Sequence, residues 1–318
     1  FIMPILITTQ NRTLTLPEGT LLRDALALLC PDAGGSLATT PLAALCGGRV
    51  LELSAPLTES CTLTPLTYRD EEGRRLYERS LRFLFLASMK RLFPGRRVRM
   101  QHSVGHGLYI APQQGSLTHG DVRALESDMR SLAAQDLPFE KLTWTRQQAI
   151  DYFEAEGWQD KADLLSYRTY DYFHIYECGG LAEYFYGAMT VSTGYVKVFT
   201  LFELRGGFVL QLPAGSDFDH AAPYVYRPKH LEIYSQSAHW CEILGVTNVT
   251  DVTRLIEENR LREFIRVNEV LHEAAINDIA RKIHEQDKHI VLVAGPSSSG
   301  KTTFAGRLVV HLQMYGHH

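Results

Sequence analysis

Residues 295 to 302 read Gly-Pro-Ser-Ser-Ser-Gly-Lys-Thr, the spacing G-x-x-x-x-G-K-[ST] of a loop that wraps phosphate. Gly295 and Gly300 permit backbone turns that a Cβ would forbid, so successive N–H groups can face the same phosphate oxygens. On this reading Gly295, Ser297, Ser298, Ser299, Gly300, Lys301, Thr302 and Thr303 hold the nucleotide. Lys301 is the catalytic cation for the β and γ phosphates, and the Thr302 hydroxyl ligates Mg2+ on bound ATP. The chemistry implied is phosphoryl transfer, with loop amides, Lys301 and the metal neutralising transition-state charge.

Such a loop needs a buried strand before it and a helix after it. Ile290 to Ala294 is an apolar run of strand length, and Phe304, Leu308, Val309, Leu312 and Met314 recur at helical spacing, so strand, loop and helix are expected. The wording GPSSSGKTTFA resembles the uridine kinase and phosphoribulokinase group. That resemblance implies an ATP-dependent nucleoside kinase with nucleotide and nucleoside as ligands. A P-loop fold also needs further strands, a second acidic Mg2+ ligand, a group to activate the acceptor hydroxyl and a lid. None of these can be placed after Thr303, so the chain reads as the front part of a longer enzyme, inactive alone.

Composition sets the outer bounds. At 318 residues and 45% hydrophobic content the chain has material for two or three cored domains and is not a disordered protein. Thirty-two basic against 36 acidic residues give a formal charge of -4, which excludes a global pull toward nucleic acid or anionic lipid. Any RNA contact by the front domains must be local. The five cysteines are scattered and form no C-x-x-C, which suits free thiols in a reducing compartment. No secretory signal and no apolar run of bilayer length is present, so no membrane partner and a cytoplasmic location are expected.

The fold class expected is α+β. In residues 1–67, Ile5 to Thr8 and Thr13 to Leu16 read as strands around a Gln10-Asn11 turn. A helix follows, with Thr20 as N-cap and Leu22, Ala25, Leu26, Leu28 and Leu29 as its stripe. Ala43 to Cys46, a Gly47-Gly48 turn, Arg49 to Leu51 and Cys61 to Leu66 complete the segment. With LPEGT, ALCGGRVLELSAPL and TLTPLTYRDEEG as its matching words, it resembles the TGS domain, a small β-grasp fold of threonyl-tRNA synthetases and some GTPases. RNA or ligand recognition is what that resemblance implies.

Residues 68–213 resemble the second additional domain of threonyl-tRNA synthetase, which hydrolyses mischarged tRNA. The resemblance rests on a helix Arg79 to Pro94 ending in KRLFP and on the strand Gly107 to Ile110. It also rests on an amphipathic helix Ser116 to Ala134 and the run Val191 to Leu201. In that helix Thr118 is the expected cap, and Val122, Leu125, Met129 and Leu132 the inward face. The family's editing site uses H-x-x-x-H and C-x-x-x-H; by register these positions carry Arg79, Phe83, Phe185 and Met189. None is a neutral base or ordinary zinc ligand, so deacylation is not expected. An upstream register would use Cys178 but meets Ala182 four residues on.

His102 and His106 have the spacing of a helical metal pair, yet Gly105 and Gly107 argue against a helix. The aromatic cluster from Tyr167 to Tyr186, with Arg168 interleaved, reads as core and pocket wall, with base stacking as the alternative. Residues 214–287 read as a helical connector with helices Ile233 to Leu244, Val252 to Leu261 and Glu263 to Glu285. The last has Phe264, Val267, Leu271, Ala275, Ile279 and Ile283 at helical spacing. Residues 288–318 carry the strand, loop and helix of the phosphate-binding motif.

Overall fold

A computed structural model describes residues 3–9, 12–113 and 115–317. The expected Gln10-Asn11 turn lies outside them. The chain is α+β and divides into two compact units, one up to Ser235 and one from Gln236 on.

The first unit opens with β1 (Pro4–Thr8), β2 (Thr13–Pro17), α1 (Leu22–Leu29), β3 (Ala43–Cys46), β4 (Arg49–Glu52) and β5 (Cys61–Leu66). These strands make one sheet of order β2-β1-β5-β3-β4, with β1 and β5 parallel and the other pairs antiparallel. Period-two alternation decides its inner face: Ile5 and Ile7 are buried while Leu6 is half exposed. Helix α1 lays Leu22, Ala25, Leu26 and Leu29 on that face. Two expectations are corrected here. Leu28 points to solvent, since it falls outside the arc that touches the sheet. Thr20 is not the cap: Leu21 holds that position, and the Thr20 hydroxyl donates instead to the Pro17 carbonyl at 2.6 Å.

Next comes α2 (Glu71–Leu92), which starts eight residues before the expected Arg79, after Asp70 at the cap position. Its buried residues include Leu76, Tyr77, Leu81, Phe83, Leu84 and Phe85, and Leu42, Ala43 and Leu66 of the preceding sheet share the same core. Around it lie β6 (Val98–Val104), β7 (Gly107–Pro112), α3 (His119–Gln135), β8 (Glu140–Thr145), α4 (Arg146–Ala155), α5 (Gln159–Ser166), β9 (Tyr172–Cys178), β10 (Leu181–Glu183), β11 (Thr200–Leu204) and β12 (Gly207–Gln211). They form a four-stranded antiparallel sheet β11-β12-β7-β6 and a three-stranded one β10-β9-β8, the latter sharing a core with α4 and α5.

Helix α3 buries Val122, Leu125, Met129 and Leu132 as its spacing requires. Thr118 caps it in a reciprocal box: its Oγ1 accepts from Asp121 N at 3.2 Å, and Asp121 Oδ2 accepts from Thr118 N at 2.8 Å. Thr118→Ala is therefore expected to cost about 1 kcal/mol, read as a lower urea midpoint at unchanged slope.

Helix α6 (Pro228–Ile243) spans the division between the units. The second unit continues with α7 (Val249–Glu257), α8 (Leu261–Glu285) and α9 (Lys301–Gln313). Its core is small: Ile276 and Ala280 of α8 meet Leu308 of α9, with Phe304, Ile283 and Leu312 alongside. Of the stripe expected on α8, Ile283 packs on this core while Val267 and Ile279 are exposed. On α9 Val309 is likewise exposed, as is Met314 just past its end.

The strand expected at Ile290 to Ala294 does not form, and Ile290 and Leu292 are 81% and 90% exposed. An extended segment becomes a strand only by hydrogen-bonding a neighbour. No strand occurs among the described residues of this unit. None of the described helices is long and apolar enough to cross a membrane.

Candidate functional site

Arg79 and Phe83 stand one turn apart on α2, so they address the same side of the helix. The Arg79 guanidinium is half buried and donates from Nε to the Ala188 carbonyl and from Nη1 to the Tyr186 carbonyl, each at 2.9 Å. Between those carbonyls sits Gly187, with φ 103°; a Cβ there would lie 2.4 Å from Arg79 Nη1. Only glycine lets the arginine lie flat on this loop. One turn on, the Phe83 ring is 6.1 Å from Phe185 and 5.3 Å from Phe139. Met189, 1% exposed, closes the group from behind.

Beside Arg79 opens a cavity of about 580 Å3. Strand alternation explains one wall: Tyr172, His174 and Tyr176 share a face of β9, while Ile175 goes to the core under α4 and α5. The loop after β10 supplies Tyr184, Phe185 and Tyr186; Lys141 of β8, Glu52 of β4 and Glu72 of α2 also line it. Glu52 is the hub. It accepts from the Tyr176 hydroxyl and, at 3.1 Å, from Met189 N, with Lys141 Nζ 3.9 Å from its other oxygen.

Burial, and then the Glu52 charge, pushes the Tyr176 phenol above its ordinary range, so it stays a donor. Burial pulls the Arg79 guanidinium below its usual value without discharging it. Tyr176→Phe removes one donor from a nearly buried carboxylate and is expected to cost about 1–2 kcal/mol, measured by denaturant unfolding.

Arg79, Phe83, Phe185 and Met189 offer no neutral base. Among the described residues no group of three or more His, Cys, Asp and Glu side chains could hold a metal ion. His174 Nδ1 lies 3.3 Å from the Thr143 hydroxyl. Cys178 is buried on β9, and burial, helped by Glu140 and Glu177, pushes its thiol up to about 12. A thiol held neutral is a poor nucleophile.

This thiol also makes a pH prediction. The folded chain holds the proton more tightly than the unfolded one, whose thiol ionises near 9, so the contribution is intact below pH 9 and is lost as pH rises toward 12. Stability should fall by roughly 1 kcal/mol between pH 8.5 and 10 from this group, and Cys178→Ala should flatten that part of the curve in a thermal-melt series.

His102 and His106 do not form a metal pair: His102 lies in β6 and stacks on Tyr234 at 3.7 Å and 14°, while His106 lies in the following turn. In the second unit, Gly295, Ser297, Ser298, Ser299, Gly300, Lys301, Thr302 and Thr303 do lie in sequence around the start of α9. Gly300 takes φ 74° and Ser298 φ 59°, and a Cβ on Gly295 would meet Ser299 Oγ at 2.8 Å. The Lys301 ammonium is turned back onto the Pro296 carbonyl. The sequence thus pointed to the aromatic cluster and to Arg79. It gave no sign that Glu52, on a strand of the first sheet, reaches into the same cavity.

No protein-family model matches the chain. The threonine–tRNA ligase of Carboxydothermus hydrogenoformans is 29% identical over 175 residues, 54% of this chain and 27% of that protein. The ligase of Symbiobacterium thermophilum is 30% identical over 196 residues, 60% of this chain and 29% of its own length, and that of Acidovorax sp. (strain JS42) 29% over 201 residues, 61% and 32%. That stretch is threonine–tRNA ligase-like. The chain spans about a third or less of the curated relatives it matches.

The comparison corrects the kinase reading. An ATP-dependent nucleoside kinase was expected from an eight-residue motif, whereas the similarity to threonine–tRNA ligases runs through some 200 residues, and no uridine kinase-like part finds support. Physically, the strand that would seat the loop is also unformed.

Proposed function

We propose that this chain is a recognition module related to threonine–tRNA ligases, which binds a terminal nucleotide of RNA in the Arg79 cavity and does not hydrolyse its ligand. The observation that carries this reading is the cavity itself, with Tyr176, Tyr184 and Phe185 as walls and the cations Arg79 and Lys141 beside the carboxylates Glu52 and Glu72 in its lining. Its volume of about 580 Å3 suits one nucleotide rather than a duplex. Aromatic faces hold a base, and Arg79, two of whose nitrogens are tied to backbone carbonyls, keeps Nη2 for a phosphate or sugar oxygen. The relatives act on tRNA by name, which supports RNA as the ligand class.

The test is fluorescence anisotropy of tRNA and of short RNA against the full chain, run beside an assay for release of the amino acid from mischarged tRNA. Binding without release is the expected result. Release above the uncatalysed rate would overturn the non-hydrolytic reading, and absence of RNA binding at moderate salt would overturn the ligand class.

A further inference from the structure

The sheet β11-β12-β7-β6 carries, on the face turned from the main core, a group of hydrogen-bond donors that takes no part in the Arg79 cavity. Strands β11 and β12 are joined by two residues, Arg205 and Gly206, with φ 48° and 79°, and Leu204 stands opposite Gly207. Two successive left-handed residues make the tight hairpin that Asn-Gly forms best, so an arginine at the first of them carries backbone strain. Phenols surround its guanidinium. Nη2 donates to the Tyr226 hydroxyl at 3.4 Å, a long contact. Tyr109 leans across β12, its hydroxyl 2.6 Å from where a Cβ on Gly207 would lie. Tyr224 packs on Phe202 with ring centres 4.9 Å apart, and its hydroxyl is buried without a hydrogen-bond partner. Burial pushes the Tyr109 and Tyr224 phenols upward and the Arg205 charge opposes this at each, so both stay protonated donors within its field. The acids of β11 and of residues 212–226 turn elsewhere. Glu203 stands opposite Phe208, whose ring is in the core, so the pleat sends it to the other face. Asp217 takes His220, and Asp219 takes Ser36 and Leu37 N. After Tyr226 come Arg227 and Lys229, and the first acid beyond them is Glu232.

We propose that Arg205 and the hydroxyls of Tyr109, Tyr224 and Tyr226 form a binding site for a tetrahedral oxyanion, the phosphate group of a small phosphorylated compound. A guanidinium pairs with two oxygens of such a group. The phenols come from the sheet and from the segment after β12, hence from different sides, which suits a tetrahedral anion better than a planar carboxylate. A charged acceptor is a stronger partner for Arg205 than a neutral hydroxyl at 3.4 Å, and it offers the Tyr224 hydroxyl the acceptor that it lacks. The strain held at Arg205 then has a function, since the residue that the turn prefers could not bind an anion. This site is independent of the RNA reading of the Arg79 cavity.

The experiment titrates the full chain with inorganic phosphate at constant ionic strength, followed by phosphorus NMR line broadening, with acetate as competitor. Melting curves without phosphate are recorded for the wild type, Arg205→Asn and Tyr224→Phe. The expected result is saturable phosphate binding that equal acetate does not displace, weakened at least about tenfold in Arg205→Asn and several-fold in Tyr224→Phe. Arg205→Asn should at the same time melt at the wild-type temperature or above it, because asparagine relieves the turn. No saturable binding, unchanged affinity in Arg205→Asn, or displacement by equal acetate would overturn the site. So would an affinity lost only together with a lowered melting temperature. In a parallel titration, a short RNA whose binding depends on Arg205 while free phosphate does not bind would assign the anion to RNA and overturn the small-ligand proposal.

Discussion

Replacing Arg79 by alanine should abolish ligand binding at the cavity and lower the stability of the first unit by about 2–4 kcal/mol. The side chain does two things at once. Its Nε and Nη1 bind the carbonyls of Ala188 and Tyr186, so the loop carrying Tyr184 to Ala188 is pinned to α2, and its remaining nitrogen faces the cavity. Removal leaves two carbonyls without their charged donor and an unfilled hollow against Gly187. Arg79→Lys separates the two roles. An ammonium keeps the charge but cannot span both carbonyls with a planar fork, so binding should fall by about tenfold or more with a smaller loss of stability. Urea unfolding and an RNA titration on the two variants check this.

A second large effect is expected at Gly73. This residue sits in the first turn of α2, and a Cβ there would lie 1.9 Å from the Thr67 carbonyl oxygen and 2.7 Å from its carbon. The obstacle is backbone, which cannot rotate aside, so Gly73→Ala must shift the helix start relative to the end of β5. We expect a loss of about 3 kcal/mol or more. The control is Gly120→Ala in the first turn of α3, where the nearest atom to a new Cβ is Thr118 Oγ1 at 3.6 Å. That change should be neutral or stabilise by about 0.5 kcal/mol, because alanine restricts the unfolded chain. Opposite signs for one chemical substitution at two helix starts would be read directly from denaturation midpoints.

The sequence was most legible where periodicity and local hydrogen bonding decide the structure. The strands of the first sheet, the cap at Thr118 and the inward face of α3 follow from alternation, helical spacing and a side-chain oxygen placed three residues before a backbone N–H. It was least legible where a distant partner decides. Ile290 to Ala294 has the composition of a buried strand, but composition cannot supply the neighbour whose N–H and C=O groups a strand requires. On α8, Ile276 and Ala280 are buried and Ile279 is not, a rotation set by where Leu308 of α9 makes contact.

The site shows the same division. Arg79 and Phe185 were marked because a register of residue types failed there, and the structure does bring them to one wall. Glu52 is more than a hundred residues from Tyr176 in sequence, and only the shared core of sheet and α2 sets it against that phenol. The glycine-rich loop at 295–302 carried the opposite lesson. A short motif of high chemical specificity pointed to one function, while weaker similarity spread over some 200 residues pointed to another.

We propose above that the cavity beside Arg79 receives a terminal nucleotide of RNA. It is tested most directly by photocrosslinking: short RNA carrying 4-thiouridine at either end is irradiated with the full chain and the crosslinked peptides are identified by mass spectrometry. Adducts are expected on Tyr176, Tyr184 or Tyr186 with one end labelled, competed away by unlabelled RNA and absent in Arg79→Ala. Crosslinks confined to other surfaces, or unchanged when Arg79 is removed, would contradict it.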